Sequence, residues 1–410
     1  MSSHGSLARG ITRNVVVLGV VSLLTDVSSE LLVYVIPLFL ANVLAVTPTV
    51  IGLIEGVAEG VASFVRLASG VISDRARRRK PLVGAGYGTS VASKALYLFA
   101  AAWPVVLAAR VGDRIGKGIR TAPRDALIAD STPTGSRGRA FGLHRAMDTA
   151  GAVVGVALAA LVIELAQGDA PTLGAETFRL LALAALVPGV LALVVIAHWV
   201  RDVAAPPRAA SAAPLGRPGL RERARAFPIV YWVFVAAVAL FTLGNSSDAF
   251  LAIRSQSLGI TVRDLMLIVI AFNVVNSLVA WPAGWLSDRV GRRGLLALAW
   301  AIYAAAYDGF ALAGEPGQVV GLWLLYGAYY GVNEAVGRAL VADLAPPHVR
   351  ATAFGILNAV MGVAVLAASV VAGLLWDRVG QPAPFWFGAA CATSAIVLLA
   401  LVRRPSAGAG

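Results

Sequence analysis

Twelve stretches of this chain are almost entirely apolar, each long enough, at roughly 20 residues, to cross about 30 Å of hydrocarbon as a helix. They lie at 14–44, 48–72, 82–103, 104–128, 139–166, 177–200, 228–255, 262–287, 294–314, 317–341, 349–376 and 382–402. In hydrocarbon every backbone donor and acceptor must be satisfied inside the protein, so spans of this length and composition fold as helices packed on helices. The first and fifth runs exceed one bilayer thickness and are expected to tilt or extend past the lipid. The third and fourth are separated at Trp103-Pro104, because the combined stretch is too long for one crossing.

The composition agrees. Of 410 residues, 58% are hydrophobic and 14% charged, whereas soluble domains run at roughly 45–50% and about 25%. That balance excludes a cytosolic enzyme, a nucleic-acid-binding module and a disordered chain, and it makes the lipid bilayer the first partner. The net charge of +12 is therefore read as a topology signal, with no nucleic acid implied. With a cytoplasmic N-terminus, 21 Lys and Arg fall on the cytoplasmic side, against Arg263 and Arg378 opposite. Both termini are then cytoplasmic, in a bacterial inner (plasma) membrane. The polar start, Met1 to Arg13, is short and no small-residue cleavage site follows the first apolar run, so that run is read as retained. One cysteine, Cys391, and four scattered histidines give no disulfide and no metal cluster. No phosphate-cradling loop, nucleophile–base set or cofactor fingerprint is present, so an enzyme and ATP-driven pumping are both disfavoured and no cofactor is expected.

The longest polar interruption, 201–227, is rich in Pro, Ala and Arg and reads as a cytoplasmic linker between an N-terminal six-helix bundle, 1–200, and a C-terminal one, 228–410. The two sets repeat. Gly70-Val-Ile-Ser-Asp74-Arg75 matches Gly284-Trp-Leu-Ser-Asp288-Arg289; Ala126-Leu-Ile-Ala-Asp130 matches Ala339-Leu-Val-Ala-Asp343; and Ser28-Ser29-Glu30 echoes Ser246-Ser247-Asp248. Repeats related this way place a substrate path near the midplane between them.

On these residues the chain resembles the major facilitator superfamily of secondary transporters. Gly70-x-x-x-Asp74-Arg75-x-x-Arg78-Arg79 is similar to the family's loop 2–3 motif, with 284–293 as its copy. Arg114-x-x-Lys117-Gly118 is similar to its Arg-x-x-Gln-Gly pattern, with Lys117 in the glutamine place. Gly142, Gly151 and Gly155 resemble the glycine series of the drug/proton antiporter branch, though Val156 and Ala159 stand where that series continues with Pro and Gly. The resemblance implies an all-α membrane protein of twelve helices in two pseudo-symmetric bundles, working by alternating access on a small molecule. Asp74, Arg75, Arg78 and Asp130, with Asp288, Arg289, Arg292 and Asp343 in the repeat, are then a cytoplasmic latch of individually weak ion pairs. The competing reading of the loop arginines is topology alone.

Charge inside the spans is the other pointer, because an ionisable group there is costly and marks function by default. Asp26, Glu30 and Tyr34 share one face of span one, and Glu55 and Glu59 one face of span two. Arg110, Arg114, Lys117, Arg120 and Arg124 fall on one arc of span four, beside Asp113. Span five adds His144 and Asp148. Asp26, Glu30, Glu59 and Asp148 are the candidate proton carriers, since gain or loss of a cationic neighbour changes a buried carboxylate's proton affinity. The others, with Asn245, Asp248, Asn273, Asn276, Tyr330, Asn333 and Glu334 from the second half, are the candidate substrate contacts. Near-balance of acids and bases gives the bland alternative, structural pairing between helices. The expected function is proton-coupled export of a small organic solute by a monomer. Uptake or exchange of an anionic metabolite, drawing on the basic stripe of span four, is the alternative, and a receptor or scaffold without transport is remote.

Overall fold

The structure, a computed structural model, describes residues 11–75, 78–203, 227–344 and 350–401. Helices dominate, and no strand occurs among the described residues. In chain order they are α1 (Arg13–Val33), α2 (Val35–Asn42), α3 (Pro48–Arg75), α4 (Lys80–Ala95), α5 (Trp103–Asp130), α6 (Arg137–Gln167), α7 (Ala175–Trp199), α8 (Ile229–Gly244), α9 (Ala249–Ser257), α10 (Val262–Val290), α11 (Arg292–Leu312), α12 (Pro316–Leu344), α13 (Arg350–Arg378) and α14 (Ala383–Ala400). A 3₁₀ turn, Leu96–Phe99, extends α4. Taken as spans, with α1–α2 and α8–α9 each one interrupted crossing, these run through the twelve predicted positions. The break at Trp103 falls where the sequence places it, with Pro104 in the first turn of α5, where its missing N–H costs nothing.

Eight of the spans are long and apolar enough to cross a membrane on composition alone. α3, α4, α5 and α12 are not among these eight: α5 carries many charges and α4 has only 16 residues. Two spans read as continuous are interrupted. Span one breaks at Tyr34, where Pro37 has no N–H for the Val33 carbonyl and its ring crowds that group. Span seven breaks at Asn245–Asp248, a run of Asn, Ser, Ser and Asp whose short polar side chains compete with the helical ladder.

The chain forms two compact units. One holds 1–46, 57–211 and 261–270; the other holds 47–56, 212–260 and 271–410. The predicted linker falls mostly on 204–226, outside the described residues.

In the first unit α1 packs along α6 and α7, and α4 along α5. Val15, Leu18, Val21, Val83, Tyr87, Leu127, Ile128, Ala140 and Ile196 close one end as an apolar core. The α1–α6 contact runs in register. A Cβ on Gly151 would lie 2.5 Å from Leu23 O, and one on Gly155 would lie 2.7 Å from Val27 O. Glycine is required at both positions because the backbones touch, as small residues allow between membrane helices. Gly142, the first of the series, faces open space. The unit also takes in the start of α10, where Arg263 pairs with Glu164 at 2.9 Å and Asp169 at 2.7 Å.

The second unit is built on aromatics. Phe241 stacks on Trp300 at 4.8 Å, Tyr303 on Tyr307 at 4.1 Å, and Phe272 on Tyr326 at 5.7 Å. Offset and edge-on ring packing adds about 0.5–1.5 kcal/mol per pair beyond area burial. Arg254 is anchored in the same unit. It donates from Nε to Phe310 O and from Nη2 to Ala313 O, the end of α11, and from Nη1 to Gln381 Oε1. A cation there complements the helix dipole.

Candidate functional site

The charged groups of the first unit gather from α1, α3, α5 and α6. Glu59 of α3 accepts from Arg114 Nη2 of α5 at 2.8 Å, an ion pair between helices of the kind the bland reading expects. Asp26 and Glu30 stand one turn apart on α1 within electrostatic reach of Lys117, with Asp148 also near Asp26 and Arg114 and Arg110 near Glu30. Neither carboxylate forms a hydrogen bond or ion pair among the described residues, and neither is fully buried. Lys117 likewise has no bonded partner among the described residues and is exposed, although it stands in the middle of a 28-residue helix. Lys117 is thus accessible in mid-helix, and the two carboxylates beside it are half-buried.

The rest of the basic arc behaves differently. Five cations spread over an arc of span four turn out to meet two environments. Arg120 is 4% exposed and faces α4: its Nη1 donates to Ser90 Oγ at 2.6 Å and its guanidinium covers the Tyr87 ring at 4.6 Å. Spacing predicts an arc wide enough to touch two neighbours and does not say where one ends. Asp113 is buried on that α4 side, and Glu55 and Arg110 are buried as well. Arg124 is held by Asp125 and by Ser22, as a structural reading has it.

Lys94 and His144 gain defined partners. Lys94 of α4 is 2% exposed, and its Nζ donates to Ser28 Oγ at 2.8 Å and Ser29 Oγ at 2.9 Å. His144 is not a lone packing residue: its Nδ1 lies 3.5 Å from Asp148 Oδ2, one turn along α6. Tyr34 is buried at the α1–α2 break.

Of the latch residues, Asp130 pairs with Arg79, which is itself buried, and the Asp202 carboxylate accepts from the Arg79 N–H at 3.0 Å. The partner is thus Arg79 of the same motif, one of the loop arginines for which topology alone is the competing reading, while Arg78 is exposed. Arg289 covers the Trp285 ring at 3.8 Å, and Arg292 is half-buried. The side chains of Asp74, Arg75, Asp288, Glu334 and Asp343 lie outside the described residues.

In the second unit the candidate polar groups meet the aromatic cluster. Tyr326 Oη donates to Asp248 Oδ1 at 2.7 Å, Asn245 Nδ2 donates to Tyr329 Oη at 3.3 Å, and Trp300 Nε1 donates to Asn333 Oδ1 at 3.2 Å. Asn273 and Asn276 stay half-buried on α10, and Tyr330 is exposed with its ring against Phe272. The sequence reading missed Tyr303, Tyr307 and Tyr326; their i, i+4 spacing on α11 and the turn of α12 beside Tyr329 were the available signal.

Known proteins resemble the chain along its whole length. The family model described as Major Facilitator Superfamily matches residues 18–254 and 233–410. An uncharacterized MFS-type transporter of Methanocaldococcus jannaschii is 32% identical over 400 residues, 96% of each chain. The Quinolone resistance protein NorA of Staphylococcus aureus is 23% identical over 156 residues, 38% of this chain and 40% of NorA. Among solved structures, a mutant of the nucleoside transporter NupG superposes with a TM-score of 0.78 at 12% identity, covering 95% of this chain and all of that one. A bacterial homolog of the human lysosomal transporter Spinster gives 0.73 at 16% identity, covering 95% and 94%. Proteins of this kind are carriers of small molecules across membranes and not enzymes. With its long apolar helices in two repeated sets, the chain belongs to the Major Facilitator Superfamily and is an integral membrane transporter.

Proposed function

We propose that the protein is a proton-coupled secondary transporter that exports a small organic solute by alternating access, as a monomer in a bacterial inner membrane with both termini cytoplasmic. The observation that carries the coupling is the pair Asp26 and Glu30: two neighbouring carboxylates on one helix face, in mid-span, half-buried and with no bonded partner among the described residues. Such groups exchange protons without first breaking an ion pair, whereas Glu59, tied to Arg114, does not. Asp148, next to Asp26 and paired with His144, is the natural further member of the chain of carriers. Support for export is the partial likeness to a quinolone resistance protein. Arg79–Asp130 acts as the closing contact on the cytoplasmic side.

A second reading, carriage of an anionic metabolite, is favoured by one observation: Lys117 is exposed and unpaired beside Arg114. The two readings differ in the sign of linkage. Protonating Asp26 and Glu30 makes this face more positive, so protons and an anion assist each other's binding and travel together. A cationic solute competes with the protons and is exchanged against them. The test is transport in proteoliposomes carrying an internal pH dye, with a fluoroquinolone and benzoate as probes. Accumulation of the quinolone driven by an acid interior, with alkalinisation of the lumen, fits proton-driven export. Asp26→Asn together with Glu30→Gln is expected to abolish the pH change. Benzoate entering with protons selects the second reading, and probe uptake indifferent to a protonophore overturns both.

A further inference from the structure

Span six ends at Trp199, but the chain does not leave the first unit there. Asn14 of α1 holds the Arg201 backbone on both sides: the Arg201 N–H donates to Asn14 Oδ1 at 3.0 Å, and the Arg201 carbonyl accepts from Asn14 Nδ2 at 3.1 Å. The same Asn14 amide donates to Ser131 Oγ, just past α5, at 2.7 Å. Asp202 then reaches the start of α4, where its Oδ1 accepts from the N–H of Arg79 at 3.0 Å and of Lys80 at 3.4 Å. The opening residues of the predicted linker are thus fixed to the ends of α1, α4 and α5. For α4 this supplies a missing cap, because the Arg79 side chain makes no capping bond and Pro81 has no N–H to give. First-turn N–H groups otherwise lack an acceptor, and a carboxylate there also complements the helix dipole.

The repeat separates a shared contact from an added one. Lys80 Nζ donates to Ala197 O in the last turn of α7 at 2.8 Å, and Arg293 Nη2 donates to Ala400 O at the end of α14 at 2.7 Å. In both halves a cation at the start of the third span therefore meets the carbonyl end of the sixth, where the helix dipole favours it. Asp202 has no counterpart in the sequence of the second half, because span twelve is followed by Leu401-Val402-Arg403-Arg404, with no acid. The added carboxylate stands in the half where Arg79, 7% exposed, pairs with Asp130 at the end of α5.

We propose that Asp202, the first acid of the linker, is a positioning residue for the cytoplasmic closing contact: by capping α4 through the Arg79 N–H it holds the Arg79 guanidinium on Asp130. The assignment rests on the reading of Arg79–Asp130 as that contact. Arg79 is gripped twice, at its backbone by Asp202 and at its side chain by α5. Without the first grip the backbone at the start of α4 is free to move, and a long side chain then keeps one ion-pair geometry only at a larger entropic cost. Because Arg79 is buried, shifting it off Asp130 leaves a guanidinium without its acceptor, so the capping bond and the ion pair are held or lost together.

The experiment uses the purified full-length chain in lipid nanodiscs, with spin labels on Gly135→Cys and Gly294→Cys in a Cys391→Ser background. Both glycines are exposed and have room for a side chain, and the proposed topology puts both on the cytoplasmic side, one in each half. Pulsed electron paramagnetic resonance reads the distance between the labels. Asp202→Ala is expected to raise the population at the longer distance about twofold or more, as Asp130→Asn does, and the double variant to go no further than Asp130→Asn. Asp202→Asn, which keeps an acceptor oxygen, is expected to stay near wild type. Asp202 is half-exposed, so these variants keep the fold, and a merely structural role would lower the thermal midpoint and leave the distances unchanged. A wild-type distribution in Asp202→Ala beside a shifted one in Asp130→Asn overturns the proposal alone. So do additive shifts in the double variant, or an Asp202→Asn as altered as Asp202→Ala. An unaltered distribution in Asp130→Asn overturns the closing-contact reading and the proposal with it.

Discussion

Arg254 and Arg120 are both charges inside spans, and both are used up in packing. Arg254 satisfies the last carbonyls of α11, and Arg120 is bonded to Ser90 and lies over Tyr87. Removing such a group strands buried partners, so Arg254→Ala is expected to lower stability by about 2 kcal/mol in thermal or denaturant unfolding. Arg254→Lys recovers only part of that loss, because a single ammonium does not reproduce the guanidinium fork. The sequence marks these arginines as interior but gives no means of separating them from Lys117, whose ammonium is open and unpaired. The difference is a matter of which neighbour lies opposite. For Arg254 that neighbour is the end of a helix more than fifty residues away, which no local spacing encodes.

Among the helices, the glycines of α6 make the same distinction testable. Gly151 lies against the α1 backbone, and Gly142 faces open space. Gly151→Ala is expected to cost about 1–3 kcal/mol and to lower the yield of folded protein, since Leu23 O cannot yield without moving α1. Gly142→Ala should be neutral or slightly stabilising through helix propensity. Size-exclusion yield and unfolding midpoints of the two variants in one detergent check this, and equal behaviour would refute the register described for α1 and α6. Helix existence and the Trp103 boundary were legible because apolar length and proline chemistry are local. The break at Tyr34 was legible in Pro37, and that of span seven in Asn245-Ser246-Ser247-Asp248, yet both lie inside runs that hydropathy alone reads as continuous.

At the scale of the whole molecule, the orientation proposed from arginine asymmetry is open to direct measurement. In a Cys391→Ser background, Gly135→Cys should resist a membrane-impermeant maleimide in intact cells and react in inside-out vesicles, while Thr172→Cys reacts in intact cells. The reverse pattern would invert the topology. The sequence by itself determined the membrane environment, the number of spans, the repeat and the family pattern, because lipid imposes one strong local rule: backbone satisfied within helices and side chains apolar where they meet hydrocarbon. Only the tertiary structure decided which interior charges are tied and which are open. It joined Glu59 to Arg114, Asp130 to Arg79 and Lys94 to Ser28 and Ser29, and it left Asp26, Glu30 and Lys117 without partners among the described residues. The physical reason is that electrostatic fate depends on what lies within about 4 Å across a helix contact. A period of 3.6 residues specifies the face a side chain occupies and not the group it meets there.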